Sequence, residues 1–364
     1  MSRPAPSSMP GQVVLVLQGG GALGAYQLGV YQAMHEAGIE PDWVIGTSIG
    51  AINGAIIAGN PPDQRLDRLR QFWHRMEQNA LGFSGMPRAL ANLVTVGQGI
   101  PAFFEPNPPA WWNPDAHLGV EHASYYRTGP LRTTLDTLVD FEHLNARHTR
   151  LTVGAVNARS GAMRYFDSRK EVLHADHVMA SGALPPAFPA IRIDGEPYWD
   201  GGIYSNTPIE AVLDDEPRRS SVIFSVQVWN PDGSEPDSVL QVLDRQKEIQ
   251  YASRASNIEQ QRKLHRLRHV IRQLTLHLPE EVANSDAVRE LAAWGCGTTM
   301  HILSLQAPRI GGEDHTKDID FSAAGIRQRW QAGYDEARRF IALRPWEQAI
   351  DPIEGVALHA LPPA

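Results

Sequence analysis

The chain has 364 residues, room for about two domains of ordinary size. With 42% hydrophobic and 20% charged residues it is a globular sequence, which excludes a disordered or fibrous chain. Its 33 basic and 41 acidic side chains leave a net charge of −8, without the basic footprint of a nucleic-acid binder, and its one cysteine, Cys296, excludes an intrachain disulfide and a two-thiolate zinc site.

Residues 1–11, with Pro4, Pro6 and Pro10, read as a loose tail. Two stretches lack Asp, Glu, Lys and Arg: between Arg3 and Glu36, and between Asp42 and Asp63. Both are broken by glycines and polar residues, so neither fits a membrane span or a cleaved leader. Instead, Val13 to Leu17 is the continuous apolar run of a strand covered on both faces. A turn over Gly19 to Gly24 leads into a helix over Ala25 to Ala37. Trp43 to Ile45 forms a second strand, and Ile49 to Ala58 a second helix. This alternation predicts an α/β fold with a mainly parallel sheet.

Further on, an amphipathic helix is expected over Asp63 to Gln78 and another over Pro130 to Val139. Arg150 to Val156 and Met163 to Phe166 read as paired strands, Ala175 to Ser181 as a short helix, and Val222 to Val228 as a buried strand. A single long polar helix is expected from about Ser238 to Leu274, a last strand over Met300 to Leu305, and a final helix over Ser322 to Leu343.

Three motifs carry chemistry. Gly46-Thr47-Ser48-Ile49-Gly50 is a G-x-S-x-G on a strand-to-helix turn. A sharp turn exposes the serine, small residues at both flanks let strand and helix meet, and the helix N-terminus favours negative charge. Gly19-Gly20-Gly21-Ala22-Leu23-Gly24 presents backbone N–H groups that can hold an oxyanion. It also matches G-x-G-x-x-G, but no acidic residue ends the second strand and no Walker lysine follows, so a dinucleotide or nucleotide site is disfavoured. Asp200-Gly201-Gly202 supplies a carboxylate that could accept the Ser48 proton.

These three motifs occur in the order seen in the patatin-like phospholipases, as do Ala180 to Pro189 and Asn206-Thr207-Pro208. The chain resembles that family over about Val13 to Val228. The resemblance implies a three-layer α/β/α sandwich with a mainly parallel central sheet, plus a helical C-terminal extension. It implies a serine lipid acyl hydrolase working with a Ser–Asp dyad. Ser48 would be the nucleophile and Asp200 the base, and the amides of Gly19, Gly20 and Gly21 would line the oxyanion hole. Gly24, Gly46, Gly50, Gly201 and Gly202 would be structural members of the motifs. The substrate would be a lipid or other acyl ester; no cofactor and no metal are implied. One departure is Leu23, where many members carry arginine or lysine. The expected division is a tail over 1–11, a catalytic domain over 12–230, and a mostly helical region over 231–364 packed on it. A cytoplasmic protein in transient contact with a membrane surface fits this reading.

Three alternatives remain at this point. An α/β-hydrolase triad could recruit His265, His269, His277, His301 or His315, though too few strands precede Ser48 for that fold. A storage polyester could replace a glycerolipid, and the scaffold could be a non-catalytic lipid-binding module. Two features are left over. Phe103-Phe104 and Trp111-Trp112 lie in a proline-rich loop that reads either as a satellite core or as a lid or acyl-binding wall. Arg262, Lys263, Arg266, Arg268 and Arg272 form a basic helical stretch with no acid between Gln260 and Leu278: either a solvated face or a docking surface for anionic lipid or an acidic partner.

Overall fold

The computed structural model of the chain describes residues 9–77, 97–252, 255–311 and 313–361. Most of the tail expected over 1–11, and the end of the helix expected to reach Gln78, lie outside the described residues.

Strand and helix alternate first through β1 (Gln12–Leu17), α1 (Ala25–Glu36), β2 (Trp43–Gly46), α2 (Ile49–Ala58) and α3 (Pro62–Met76). A small ladder of β3 (Glu105–Pro106) and β4 (Tyr126–Arg127) encloses α4 (Pro108–Trp112). Next come α5 (Gly129–Leu138), α6 (Phe141–Asn145), β5 (Arg150–Asn157), β6 (Met163–Asp167), α7 (Ala175–Ser181), β7 (Ile191–Ile193), β8 (Glu196–Asp200), α8 (Glu210–Leu213) and β9 (Ser221–Gln227). The remainder comprises α9 (Val239–Tyr251), α10 (Ala255–Leu276), α11 (Glu280–Ala283), α12 (Asp286–Ala292), β10 (Met300–Gln306), α13 (Ala323–Leu343) and β11 (Val356–Ala360).

Nine strands make one sheet in the order β11-β10-β9-β1-β2-β5-β8-β7, with β6 also on β5. Pairings from β11 across to β5 are parallel, and those made by β6, β7 and β8 are antiparallel. Side chains along a strand alternate between its two faces. Accordingly Val13, Leu15 and Leu17 join the large core under α1, α2 and α3, while Val14 and Val16 join a second cluster with Trp43, Ile45, Ile209, Val212 and Ile302. A strand apolar on both faces must be covered on both, which is why β1 shows no polar alternation.

Two features differ from the sequence expectations. The long helix expected from Ser238 is two helices: α9 stops at Tyr251, and Ala252 is extended at ψ 148°. The Tyr251 carbonyl accepts hydrogen bonds from Gln18 Nε2 (3.0 Å) and Asn206 Nδ2 (2.9 Å), so side chains from far earlier in the chain take the place of a next helical turn. The sequence also gave no signal for β11, which carries the sheet one strand beyond β10.

The topology brings two strand ends face to face. Residues Thr152 to Val156 of β5 pair with β6 along one edge. Along the other edge β5 meets β2 up to Val153↔Gly46, then β8 from Ala155↔Asp200 onward. Strands β2 and β8 therefore run toward each other along one edge of β5. Their final residues sit two positions apart, about 7 Å at the usual rise per residue. Among the described residues no helix is long and apolar enough to cross a membrane.

Candidate active site

Ser48 occupies the turn between β2 and α2 with φ 57° and ψ −125°. This left-handed conformation is rare for a residue with a side chain and is kept only where the surroundings enforce it. The enforcement is visible at both flanking glycines. A Cβ on Gly46 would lie 2.3 Å from the Gly50 carbonyl oxygen, and one on Gly50 would lie 2.2 Å from that of Leu17. The spacing of the motif is thus a packing requirement: α2 leaves β2 so sharply that backbone touches backbone. The Ser48 N–H donates to both the backbone oxygen and the Oγ of Ser181, each at 3.1 Å, which fixes the turn to the end of α7.

Asp200 ends β8, is 2% exposed, and lines the same cavity as Ser48, whose hydroxyl favours its charged form. Its Oδ1 also accepts from the Gly202 N–H at 2.7 Å, at the start of the short turn formed by Gly201 to Ile203. Burial raises its pKa to about 7, against the opposing pull of the Ser48 hydroxyl and the Gly202 N–H. A carboxylate at that value is a competent proton acceptor near neutral pH, unlike one at its ordinary pKa.

The glycine loop curls over Ser48 before α1, and Gly24 ends its short 3-10 turn. Its three leading amides are not equivalent. The Gly19 N–H is spent on the Asn206 carbonyl at 3.1 Å, so it differs from the expectation that it would line the oxyanion hole. The Gly19 carbonyl is also held, by Asn206 Nδ2 at 3.1 Å and Trp229 Nε1 at 2.8 Å. Among the described residues the N–H groups of Gly20 and Gly21 have no hydrogen-bond partner. Gly21 has φ 54°, and a Cβ there would lie 2.3 Å from the Asp318 carbonyl oxygen.

Ser48, Asp200 and Gly19 to Gly21 open into a cavity of about 290 Å³. Its walls are apolar: Phe103, Phe104, Tyr126, Leu184, Phe188 and Phe321 line it. The two phenylalanines of the proline-rich loop are each 7% exposed and pack against Phe188, with ring centroids 5.6 and 5.3 Å away. The loop divides between the two readings. Its phenylalanines form a cavity wall, while Trp111 and Trp112 stay on the surface, 46% and 89% exposed.

Sequence reasoning missed several residues here. Asn206 was noticed only as part of a motif, yet it ties the glycine loop to the end of α9. Lys247, Tyr251 and Asp318 line the cavity from the C-terminal third. Lys247 Nζ donates to both Asp318 oxygens, at 2.9 and 3.1 Å, and to the His315 carbonyl at 2.9 Å. Nothing local in the sequence marks these residues, because only the fold brings them to Ser48. Among the described residues no histidine lines the cavity. His301 is instead stacked on His359 across β10 and β11, with ring centroids 5.3 Å apart.

Comparison with known proteins gives the chain's family. The family model described as patatin-like phospholipase matches residues 15–213, and a second, described as patatin phospholipase, matches residues 249–353. The chain is 27% identical over 230 residues to lysophospholipase NTE1 of Candida glabrata, spanning 63% of this chain and 11% of that protein. It is 39% identical over 69 residues to the human patatin-like phospholipase domain-containing protein 6, spanning 19% of this chain and 5% of that one. The chain therefore spans a small part of the length of these relatives. Among solved structures, VipD from Legionella pneumophila is similar with a TM-score of 0.42 and 16% identity, covering 92% of this chain and 67% of that one.

Proposed function

Since the chain belongs to the patatin-like phospholipase family, we propose that it is a lipid acyl hydrolase in which Ser48 and Asp200 form the catalytic dyad. One observation supports this reading above the others: a strained serine and a buried carboxyl group whose pKa is raised to about 7 line the same largely apolar cavity.

The reaction follows from that arrangement. Ser48 Oγ attacks the ester carbonyl carbon as Asp200 accepts the hydroxyl proton. The carbonyl oxygen becomes an oxyanion, stabilised by the unpartnered N–H groups of Gly20 and Gly21. Expulsion of the alcohol, protonated by Asp200, leaves an acyl group on Ser48. Water then attacks that acyl group, giving its proton to Asp200. The second tetrahedral intermediate collapses with return of the proton to Ser48 and release of the acid. The aromatic walls would seat the acyl chain, and the substrate would be drawn from a lipid surface. The helix N-terminus of α2 would add favourable potential at the site of charge development.

The test is hydrolysis of a short soluble ester and of a lysophospholipid by the intact chain. Ser48→Ala and Asp200→Asn should each lower turnover on both substrates by at least about a hundredfold with the circular dichroism spectrum unchanged. Turnover close to the parent in either variant removes the dyad. A chain that binds lipid yet hydrolyses neither ester would be the binding module, and preference for a polyester over both would move the substrate class.

A further inference from the structure

Two charged groups of residues stand outside the chemistry above. The basic stretch lies on α10, where Arg262 and Arg266 are paired with Glu354 at 3.7 and 2.6 Å. The other meets the active site. Asp244, Lys247, Glu248 and Tyr251 recur along α9 at the spacing of one helical face. This face grips the short 3-10 turn of Lys317 to Ile319. Lys317 is buried, and its Nζ reaches Glu248 at 2.7 Å and Asp244 at 3.0 Å. One residue on, both carboxylate oxygens of Asp318 accept from Lys247 Nζ, at 2.9 and 3.1 Å. Lys247 also donates to the His315 carbonyl, which makes three contacts for the three donors of an ammonium. All of them go to this turn and its approach, although Lys247 and Asp318 both stand in the cavity wall.

The turn matters for what its backbone touches. Three glycines in a row have little conformational preference of their own, so the direction of their N–H groups must be set from outside. Gly19 is fixed by Asn206 and Trp229. The Gly20 carbonyl accepts from the Leu23 N–H at 3.1 Å, and Gly20 faces the Val228 side chain. Gly21, at φ 54°, faces Asp318: the three heavy atoms nearest to a Cβ placed there all belong to the Asp318 backbone, with the carbonyl oxygen at 2.3 Å. Donors stabilise a developing oxyanion without reorganisation only when they are held in place beforehand. The aim of the Gly21 amide therefore depends on what pins the turn that carries Asp318.

We propose that Lys247 and Asp318 are positioning residues for the oxyanion hole. Their ion pair holds the Asp318 backbone against Gly21 and so keeps the N–H groups of Gly20 and Gly21 directed at the oxygen that becomes charged. This role rests on the hydrolase reading and deepens it, because the C-terminal third then governs the chemical step. The competing role for Lys247 is direct contact with a substrate headgroup, which its fully engaged donors disfavour.

The test uses the full chain and a short soluble ester. Lys247→Met keeps the length of the side chain and removes its charge. Its kcat should fall by about ten- to a hundredfold, with KM within about twofold of the parent, because only the transition state carries the oxyanion. An alkyl trifluoromethyl ketone, whose adduct with a serine carries an oxyanion, should lose affinity by the same factor. The matching alcohol, which forms no adduct, should bind as it does to the parent. Lys247→Arg should recover most of the loss. Asp318→Ala should repeat the pattern, and it decides the matter if Lys247→Met does not fold. A parent-like kcat in either folded variant overturns the proposal, as does equal loss of affinity for ketone and alcohol. So does a raised KM for a lysophospholipid with kcat unchanged, which makes Lys247 a headgroup contact. Failure of both variants to fold makes the pair a plain structural brace and overturns it as well. A parent that hydrolyses no ester and binds the ketone no better than the alcohol sinks the hydrolase reading itself, whereas an active parent matched by its variants sinks the positioning role alone.

Discussion

In the proposed dyad Asp200 has to act as a base in a place that resists its charge. It is 2% exposed, and among the described residues the Ser48 hydroxyl and the Gly202 N–H favour its anion less than burial disfavours it, so its pKa rises to about 7. Two consequences follow. In activity, kcat/KM on a soluble ester should fall about tenfold per pH unit below 7 and level off above it, because only the ionised base accepts the Ser48 proton. A profile that stays flat from about pH 5 to about pH 8 would contradict this assignment. In stability, the folded pKa lies above the ordinary 3.8, so between these values the native state keeps a proton that the unfolded chain has released. The stability contributed by the neutral form is complete below about pH 4 and is lost as pH rises through 7. Asp200→Asn, neutral throughout, should therefore melt several degrees above the parent at pH 8, with the gap closing toward pH 4. An equal or lower Tm at pH 8 contradicts it. The site thus stores a destabilised residue that function needs. The residues of the proposed dyad are readable from their flanking glycines. The engagement of the Gly19 amide was not, because it depends on Asn206, far along the chain.

The turn between β2 and α2 makes the G-x-S-x-G motif a statement about distance. Its outer glycines stand where a methyl group would meet a carbonyl oxygen at 2.3 or 2.2 Å. Gly46→Ala or Gly50→Ala should cost about 1–3 kcal/mol or more of stability, since backbone rather than a movable side chain must give way. Urea denaturation measures this, and an unchanged midpoint would show that the turn relaxes easily. Other elements were legible for equally local reasons: β1 from its unbroken apolar run, α7 and the β5–β6 pair from their length and the intervening Arg159-Ser160-Gly161. The elements that escaped reading are those set by distant partners. α9 ends where Gln18 and Asn206 claim the Tyr251 carbonyl, a termination that no glycine or proline announces. β11 is a short edge strand that exists because β10 offers it a parallel partner.

At the scale of the whole molecule, every motif falls between residues 12 and 230, yet the C-terminal third is built into the same sheet and the same cavity. Through β10 and β11 it covers the edge of β9. It lays α13 along α1, with Trp330 Nε1 donating to Gln32 at 2.7 Å and Tyr334 Oη to Glu36 at 2.7 Å. It also places the Asp318 carbonyl against Gly21. We propose that residues 231–364, packed on residues 12–230, complete one folding unit. A fragment ending at residue 230 would expose β9 as a long apolar edge and lose one wall of the cavity. It should be insoluble or, if recovered, inactive on a soluble ester; a monomeric, active fragment would show that the unit ends there. The central claim, an activated serine at position 48, has a more direct test. The intact, natively folded chain is treated with a fluorophosphonate near neutral pH, and the adduct is located by peptide mass spectrometry. The account predicts covalent labelling at Ser48, slowed at least about a hundredfold by Asp200→Asn without loss of fold. Labelling elsewhere, no labelling at all, or labelling of the Asp200→Asn variant at the parent rate would contradict it.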